Sequence, residues 1–322
     1  MKALETLEGR RLVVITPSRI GPPLREALRA AAAANKIPIF EVAGLESAAQ
    51  ESPPEGLIVS DGAAAVDPGQ ARRTVVFLGD PDHAAGSACG EFGVEGFDAV
   101  ISASRCCAHA MDVARAADVH IVFEAEFLAN PTGALGALLQ LLELPLGGGA
   151  ANAVGEQFVQ AVQALAAPAH LAEDEIGSVA LALYKANGSK APSAWWNRTL
   201  FKAGDSSPEV CPPVIDITGG GRILVRGPHI ILPAGTWRLT AAFDLCDEGA
   251  RRIFMAGFGS GADFTHERLW SATPGRNQLS VVHPFKSAGP AQLHLSVPYG
   301  AFHGEIRFHG ATIEGAVEIA TT

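Results

Sequence analysis

The spacing of apolar residues changes near residue 193, and this change constrains the fold more than any single motif does. Before it, short apolar runs alternate with segments of helical spacing, and after it short β-rich runs alternate with Gly and Pro turns. The first arrangement is typical of a parallel sheet covered by helices, and the second of an antiparallel sandwich or jelly roll. The sequence therefore predicts an α/β parallel-sheet domain followed by an all-β domain.

Apolar runs of the first part have the length of buried parallel strands. They cover residues 11–15, 37–42, 56–60, 74–78, 99–102 and 120–123. A helix is expected from about Leu24 to Asn35, and another after Asn130, which precedes a proline as an N-cap does. Three glycines at 147–149 are expected to end this unit. The predicted boundaries are 1–150 for the α/β domain, 151–190 for a helical linker or domain extension, and 191–322 for the sandwich.

The second part contains eight or nine short β-rich runs separated by turn residues. They cover residues 214–218, 222–226, 229–232, 236–245, 252–258, 278–283, 292–297, 305–308 and 312–318. The glycines at 219–221 supply a turn in which a positive φ costs nothing. This spacing predicts a β-sandwich.

Charge and hydropathy limit the partners that the chain can have. The net charge is −10 and Lys and Arg form no cluster, so a nucleic-acid partner is not expected. The longest apolar stretch, residues 135–146, contains Glu143 and Pro145 and is too short to span a membrane. Residues 1–11 are charged and lack the apolar centre of a signal peptide.

Five cysteines without a framework spacing suit a reducing compartment, and the expected location is the cytoplasm, with release as part of a particle as the alternative. Cys106 and Cys107 are adjacent, with His109 two residues further on. Adjacent cysteines do not suit a tetrahedral zinc site of structural spacing, so no metal site is predicted.

Three segments of the first domain match, in order, the motifs of one known family. They are Arg11–Ile15 followed by TPSRIGPPLREAL, then VVFLGDPDHAAGS, then FEAEFLANPTGALGALLQLLELP. Over about residues 10–146 they resemble the sulfotransferases that use the phosphosulfate donor PAPS. The resemblance implies a P-loop sulfotransferase-like fold. It also implies that Arg19, Gly21 and Ser87 bind the cofactor if the donor site is functional.

Several residues depart from this family's pattern in ways that weaken anion binding. Ile20 replaces a serine, and Pro22 and Pro23 replace two threonines and remove two donor N–H groups. Gly79 stands where the family has its phosphate-binding arginine. Each charge-assisted hydrogen bond lost in this way costs about 1.5–3 kcal/mol. The sequence therefore predicts that the fold is retained, that the PAPS donor site is not functional, and that no cofactor binds.

Three further positions of the first domain leave alternatives open. His83 lies between matched anion-site residues and is the candidate general base, although a surface histidine explains it as well. Asp61 follows a strand, as a ligand-binding acid does, but a turn-forming aspartate is the preferred interpretation. The family's glutamate falls at Ala125, between Glu124 and Glu126.

The second domain contains GPHIILPAGTWRLTAAFDL and, later, Glu305-Ile306-Arg307. Over about residues 210–320 these segments resemble β-sandwich modules appended to bacterial glycan-processing proteins. The resemblance implies carbohydrate binding. The candidate glycan-binding residues are Trp270, Trp196, Tyr299, Glu305 and Arg307.

Each of these candidates has an alternative structural role. Trp195 and Trp196 point to opposite faces if their segment is extended, so that one is core and one exposed. Trp237 is interpreted as a core residue. Glu305 and Arg307 share a strand face and pair across it in the alternative interpretation.

We therefore expect a glycan-directed binding protein, in which the sandwich recognises a polysaccharide and the sulfotransferase-like domain is a non-catalytic scaffold. One alternative is an active carbohydrate sulfotransferase with an atypical PAPS site. Another is a structural or adhesin subunit of a larger surface or particle assembly, for which homo-oligomers are an open expectation.

Overall fold

The computed structural model describes residues 10–42, 56–61, 71–115, 118–165, 172–185, 191–204, 207–250, 252–270 and 272–315. The chain forms two compact units, Met1–Ser178 and Val179–Thr322. Each is described by itself below.

The first unit contains a five-stranded parallel sheet, sheet 1, in the order β2-β3-β1-β4-β5. Its strands are β1 (Arg11–Ile15), β2 (Ile39–Val42), β3 (Leu57–Ser60), β4 (Arg73–Leu78) and β5 (Val119–Phe123). The helices are α1 (Gly21–Ala34), α2 (Pro81–Phe92), α3 (Gly96–Ala114), α4 (Glu124–Ala129), α5 (Pro131–Leu141), α6 (Gly148–Ala164) and α7 (Ala172–Ala180), the last of which crosses the boundary between the units.

Alternate residues of β1 face two separate hydrophobic cores, because successive side chains of a strand point to opposite faces. Val13 and Ile15 pack in a core with α1, α5 and α6, and Leu12 and Val14 pack in a core with α3. Helices therefore cover both faces of sheet 1, as the β-α alternation predicts.

Two expectations for the first unit are wrong. Residues 99–102, expected as a strand, lie inside the 19-residue helix α3. Gly148 and Gly149, expected to end the unit, are the first residues of α6. This helix packs on the sheet core, where the Phe158 ring meets that of Phe127 at 6.0 Å. Val154, Phe158 and Val162 of α6 thus belong to the same hydrophobic core as sheet 1, and the predicted boundaries of the segment 151–190 stay a prediction.

The second unit contains two antiparallel sheets. Sheet 2 has the order β13-β10-β15-β6, with β8 also paired to β15, and sheet 3 has the order β12-β11-β14-β9-β7. The strands are β6 (Ser193–Asn197), β7 (Lys202–Ala203), β8 (Ile215–Asp216), β9 (Arg222–Leu232), β10 (Gly235–Leu245), β11 (Phe254–Ser260), β12 (Asp263–Leu269), β13 (Gly275–Phe285), β14 (Gly289–Val297) and β15 (Glu305–Gly315). Ala182–Tyr184 and Arg198–Leu200 are short 3-10 helices.

Aromatic side chains join the two antiparallel sheets face to face. Phe243 of sheet 2 meets Phe254 of sheet 3 at 5.3 Å between ring centroids, and Phe258 of sheet 3 meets Phe285 of sheet 2 at 5.6 Å. Fully burying one such side chain stabilises the fold by about 1.5–3 kcal/mol. This packing makes the second unit a β-sandwich, as the sequence predicts.

Three details of the sandwich differ from the expected strands. The runs 222–226 and 229–232 are one 11-residue strand, β9, and 305–308 with 312–315 likewise belong to the single strand β15. The edge strand β12 was not expected, because five of its seven side chains are polar and four are exposed. Residues 316–318, also expected in a strand, lie outside the described residues.

Among the helices that the structure describes, none has the length and apolar character needed to cross a bilayer.

Candidate functional site

Sheet 1 reverses its connection direction at β1 and β4, which are neighbours in the sheet. The chain leaves β1 toward β2 on one side and leaves β4 toward β5 on the other. Ligands of open α/β sheets bind in the crevice at the carboxyl ends of such strands. A cavity of about 760 Å³ lies on this edge, and Ser18, Arg19 and Ser87 are among its lining residues.

The loops after β1 and β4 are held against each other. Gly79 N–H donates to Thr16 Oγ1 at 2.8 Å, and Thr16 N–H donates to Phe77 O at 3.1 Å. A Cβ atom on Gly79 would lie 2.5 Å from the Ser18 Cβ and 2.8 Å from Pro17 O. Position 79 therefore has no room for the arginine that stands there in the sulfotransferases the sequence resembles.

Arg19 approaches a carboxylate of the protein itself. Its Nε lies 3.9 Å from Oε1 of Glu124, a side chain that is only 2% exposed. The other oxygen of Glu124 accepts from Asp80 N–H at 2.7 Å, and Asp80 caps α2 by accepting from Asp82 N–H. The buried glutamate of this segment is thus Glu124, whereas Ala125, where the resemblance places the family's glutamate, is exposed.

The other arginines that line the cavity are also neutralised. Arg25 Nη1 donates to Glu91 Oε2 at 3.1 Å, and Arg29 binds Glu41 through two nitrogens, with Nη2 to Oε2 at 2.6 Å. Burial raises the pKa of the Glu91 carboxyl, and the neighbouring Arg25 partly offsets this. Arg25 and Arg29 are therefore already paired with carboxylates, so their guanidinium groups are not available to bind a phosphate group.

Among the described residues that line the cavity, acidic side chains outnumber basic ones, which does not suit a phosphorylated donor. Its lining residues include three arginines and four carboxylates, a formal sum of −1, namely Arg19, Arg25, Arg29, Glu26, Glu41, Asp61 and Glu91. Pro22 and Pro23, which lack N–H donors, occupy the first turn of α1. These residues do not fit PAPS.

The structure brings together some of the predicted site residues of the first unit. Arg19 and Ser87 line the same cavity, and Gly21 N–H donates to Ser18 Oγ at 2.9 Å, so this amide is already used. Asp61 is buried and also lines the cavity. His83 is buried on α2 and is not among the described residues that line the cavity.

Four candidate residues of the second unit lie at or beside one end of the sandwich. Trp270 follows β12, Tyr299 lies between β14 and β15, and Glu305 and Arg307 open β15. The strand pairing places these positions at one end. Leu269, the last residue of β12, pairs with Phe254, the first residue of β11. The next residue of β11, Met255, pairs with Ser296 near the end of β14. We call this the loop end, formed by residues 217–221, 246–250, 272–274, 298–304 and Trp270.

Three aromatic rings at the loop end are exposed. Trp270 is 64% exposed, Tyr299 is 65% exposed, and Phe302, which was not predicted, is 90% exposed. The Arg268 guanidinium carbon lies 5.3 Å from the centre of the Trp270 ring, a cation–π geometry that holds this ring. Arg268 was not predicted. It lies two residues before Trp270, so recognition of β12 as a strand would have placed both on one face.

Glu305 and Arg307 lie beside a small polar cavity of about 220 Å³ that also includes Asp244 and Cys246. Arg307 pairs in register with Asp244 on β10, and Glu305 pairs with Asp216 on β8. Arg307 therefore faces a residue of opposite charge, whereas Glu305 faces another carboxylate, and the alternative of a pair between Glu305 and Arg307 stays a prediction.

Trp196 cannot serve as an exposed platform. Its side chain is fully buried, and its Nε1–H donates to Ala180 O at 3.2 Å. Trp237 is also buried, with Nε1–H donating to Pro233 O at 3.0 Å. Trp195 is half-buried on the opposite face of β6, beside Gly310. The segment 195–196 alternates as expected, but Trp196 is the residue that points inward.

No protein-family model matches the chain, and no curated protein matches it significantly in sequence. Mouse sulfotransferase SULT7A1 complexed with PAP is 12% identical, with a TM-score of 0.36, and the match covers 52% of this chain and 71% of that one. The C-terminal CBM6 of LamC from Zobellia galactanivorans is 11% identical, with coverage of 38% and 98% and a TM-score of 0.25. TmCBM61 in complex with β-1,4-galactotriose is 10% identical, with coverage of 42% and 77% and a TM-score of 0.25.

Proposed function

We propose that this protein binds a polysaccharide at the loop end of its β-sandwich and that its first unit is a non-catalytic scaffold. The observation that carries the proposal is the pair of exposed rings, Trp270 and Tyr299, at one end of the sandwich. Neighbouring strands are about 4.8 Å apart, and β11 alone separates β12 from β14, so the strands from which the two rings extend lie about 10 Å apart.

A sugar ring suits such a surface because its face is apolar and its edge carries polar hydroxyl groups. The C–H groups of a pyranose face pack on an aromatic ring, and its hydroxyls hydrogen-bond to charged side chains at the edge. Tyrosine and tryptophan are enriched at surfaces where one part of the side chain is apolar and another is wet. Glu305, Arg307 and Asp244 supply acceptors and donors at the same end of the sandwich.

The scaffold role of the first unit is supported by the state of its cavity. Arg25 and Arg29 form ion pairs with carboxylates of the cavity, and Arg19 lies near Glu124. Gly79 has no space for a longer side chain. A donor that carries phosphate groups would have to displace these ion pairs and would meet a net negative wall.

The test is binding of the full chain to a glycan array, followed by calorimetry with β-1,4-galactotriose, xylohexaose and any oligosaccharide the array selects. We expect Trp270→Ala and Tyr299→Ala each to weaken binding by about tenfold or more, as removal of about 1.4 kcal/mol does. The matched control is Val282→Ala, since Val282 is also exposed but lies on β13. Equal binding by all three variants, or no binding to any glycan, would refute the proposal.

The scaffold role has a test of its own. A ligand that binds only the folded state raises the melting temperature by mass action. We expect millimolar PAP to leave the melting temperature of the full chain unchanged. A PAP-dependent rise that disappears in Arg19→Ala would instead support the sulfotransferase alternative.

A further inference from the structure

The outward face of sheet 3 carries a row of basic side chains. Lys202 on β7 pairs with Arg226 on β9, Arg226 pairs with His294 on β14, and His294 pairs with Gly257 on β11. Gly257 pairs in turn with His266 on β12. Side chains at directly paired positions share a face, so the row crosses all five strands, about 19 Å at about 4.8 Å per strand.

The neighbouring positions on this face add another cation and no carboxylate. One flanking row is Arg268, Met255, Ser296 and Ile223, and the other is Phe264, Gly259, Gln292 and Pro228. Asp263 and Glu267 alternate along β12 with Phe264, His266 and Arg268, so they point to the other face. We call Lys202, Arg226, His294, His266 and Arg268 the basic face.

The cations of the basic face differ from those of the first unit in their partners. Within the part of the chain that the structure describes, no carboxylate forms an ion pair with Lys202, Arg226 or Arg268, and Arg226 donates instead to the backbone oxygen of Ser207 at 3.2 Å. Glu209, a described acidic residue of the segment that follows β7, accepts from Ala203 N–H through its backbone oxygen.

Repulsion between basic side chains of the basic face destabilises the sheet, and this repulsion points to an anionic ligand. Like charges directly opposite each other on neighbouring strands destabilise a sheet, and Lys202 lies directly opposite Arg226. Burial lowers the pKa of the nearby His229, and the charges of Arg226 and Lys202 lower it further. Basic side chains are therefore grouped on this side of sheet 3, although the whole chain has a net charge of −10.

Side chains of the neighbouring strands cover the glycines of β11 on the basic face. An added Cβ on Gly257 would meet His266 Nε2 at 2.9 Å, and one on Gly259 would meet the Phe264 Cα at 2.8 Å. The Phe264 and His294 rings, which come from the strands on either side of β11, stack at 4.5 Å with an interplanar angle of 20°. The stack supplies a flat apolar surface next to the cations.

We infer that the basic face binds an acidic polysaccharide, whose carboxylate or sulfate groups meet Lys202, Arg226 and Arg268 while a sugar ring lies beside Phe264. This inference rests on the proposed function and adds a second surface and a substrate class to it. Nucleic acid is the less suited polyanion, because its dense charge requires a basic domain and this chain is acidic.

The test measures binding of the full chain to polygalacturonate, dextran sulfate, neutral dextran and a short DNA duplex at two salt concentrations. We expect binding to one of the two acidic polysaccharides, and the pair distinguishes carboxylate from sulfate. The double variant Lys202→Ala/Arg226→Ala should weaken that binding by about tenfold or more and reduce its salt dependence. The matched control is Arg238→Ala, an exposed arginine on β10 of sheet 2, which should bind as the wild type does.

Arg226→Ala removes a bond to Ser207 and could lower stability, so melting temperatures are measured first. If the double variant is less stable, Lys202→Ala/His266→Ala takes its place with the same expectation. Equal binding to neutral dextran, or unchanged binding by the variants, overturns the inference. Stronger binding to DNA that is lost in the same variant assigns the face to nucleic acid instead.

The outcomes separate this inference from the proposed function. A neutral glycan bound through Trp270, with no preference for acidic polysaccharide, leaves the proposed function standing and removes the inference. Loss of acidic binding in the basic-face variants, but not in Trp270→Ala, supports two separate surfaces. If neither class of polysaccharide binds, both fail.

Discussion

Gly79 lies so close to Ser18 that a Cβ atom at position 79 would be 2.5 Å from the Ser18 Cβ. The contact joins the loops after the two neighbouring strands β1 and β4, at the edge where an α/β sheet binds ligands. The two loops therefore occupy the space that a side chain at position 79 would need.

This close contact predicts that an arginine introduced at position 79 does not create an anion site. We expect Gly79→Arg to lower the free energy of unfolding by about 1–3 kcal/mol, as overpacking does, with no gain in PAP affinity. Urea unfolding and a thermal shift with PAP measure the two effects. The control is Gly136→Ala, an open helical position that should gain up to about 1 kcal/mol. Tight PAP binding by a stable Gly79→Arg variant would contradict the close contact.

The buried ion pair of Arg25 and Glu91 predicts a pH dependence. Burial raises the pKa of Glu91 above its ordinary value of 4.5, so the folded state holds this proton more tightly than the unfolded state does. The contribution of Glu91 to stability is therefore complete below that value and is lost as the pH rises through the raised pKa.

We expect the free energy of unfolding of the wild type, relative to Glu91→Gln, to fall as the pH rises from about 4 to about 7. Urea unfolding at several pH values gives this difference. Glu26→Gln, an exposed carboxylate on α1, is the control and should give a flatter curve because solvent screens exposed charge. A difference that increases with pH would contradict the effect of burial.

The cysteines should separate into two classes by reactivity. Burial raises the pKa of Cys107 to about 12 and that of Cys211 to about 11, and it also raises the pKa of Cys106. Alkylation requires the thiolate, which these three thiols rarely form near neutral pH. We expect iodoacetamide to label only Cys89 and Cys246, which are partly exposed, in the native protein. Mass spectrometry before and after unfolding checks this, and native labelling of Cys107 would contradict its burial.

Trp196 and Trp270 should respond oppositely to substitution. Trp196→Ala removes a fully buried side chain and its bond to Ala180, and we expect a loss of about 3–5 kcal/mol in the free energy of unfolding. Trp270→Ala changes an exposed position and should change stability by at most about 0.5 kcal/mol. Chemical unfolding measures both, and comparable losses would mean that the Trp270 ring is packed.

Sequence periodicity predicts all five strands of sheet 1, and the three central strands, β1, β3 and β4, are continuous apolar runs because they are buried on both faces. It fails at residues 99–102, since a four-residue apolar run cannot be distinguished from one turn of a buried helix. The longer pattern was present in the sequence. Cys106, Cys107, Ala110 and Val113 continue one buried helical face of α3 beyond that run.

The candidate sites depend on contacts that no local pattern contains. Alternation placed Trp195 and Trp196 on opposite faces but could not show which face turns inward, because that depends on the pairing of β6 with β15. Neutralisation of Arg19 involves Glu124, far along the chain, and the basic face exists only when five strands are in register. Such features follow from tertiary pairing and not from spacing.

Both proposed surfaces depend on one strand. Trp270 directly follows β12, and Phe264, His266 and Arg268 lie along it. Among the described strands, β12 pairs with β11 and is the edge of sheet 3. Adding or deleting one residue in β12 would exchange its two faces, turning His266 and Arg268 away from the basic face and displacing Trp270. A one-residue change in the length of β12 therefore alters both proposed surfaces at once. The ligand preferences of the two surfaces would change together in a single mutation.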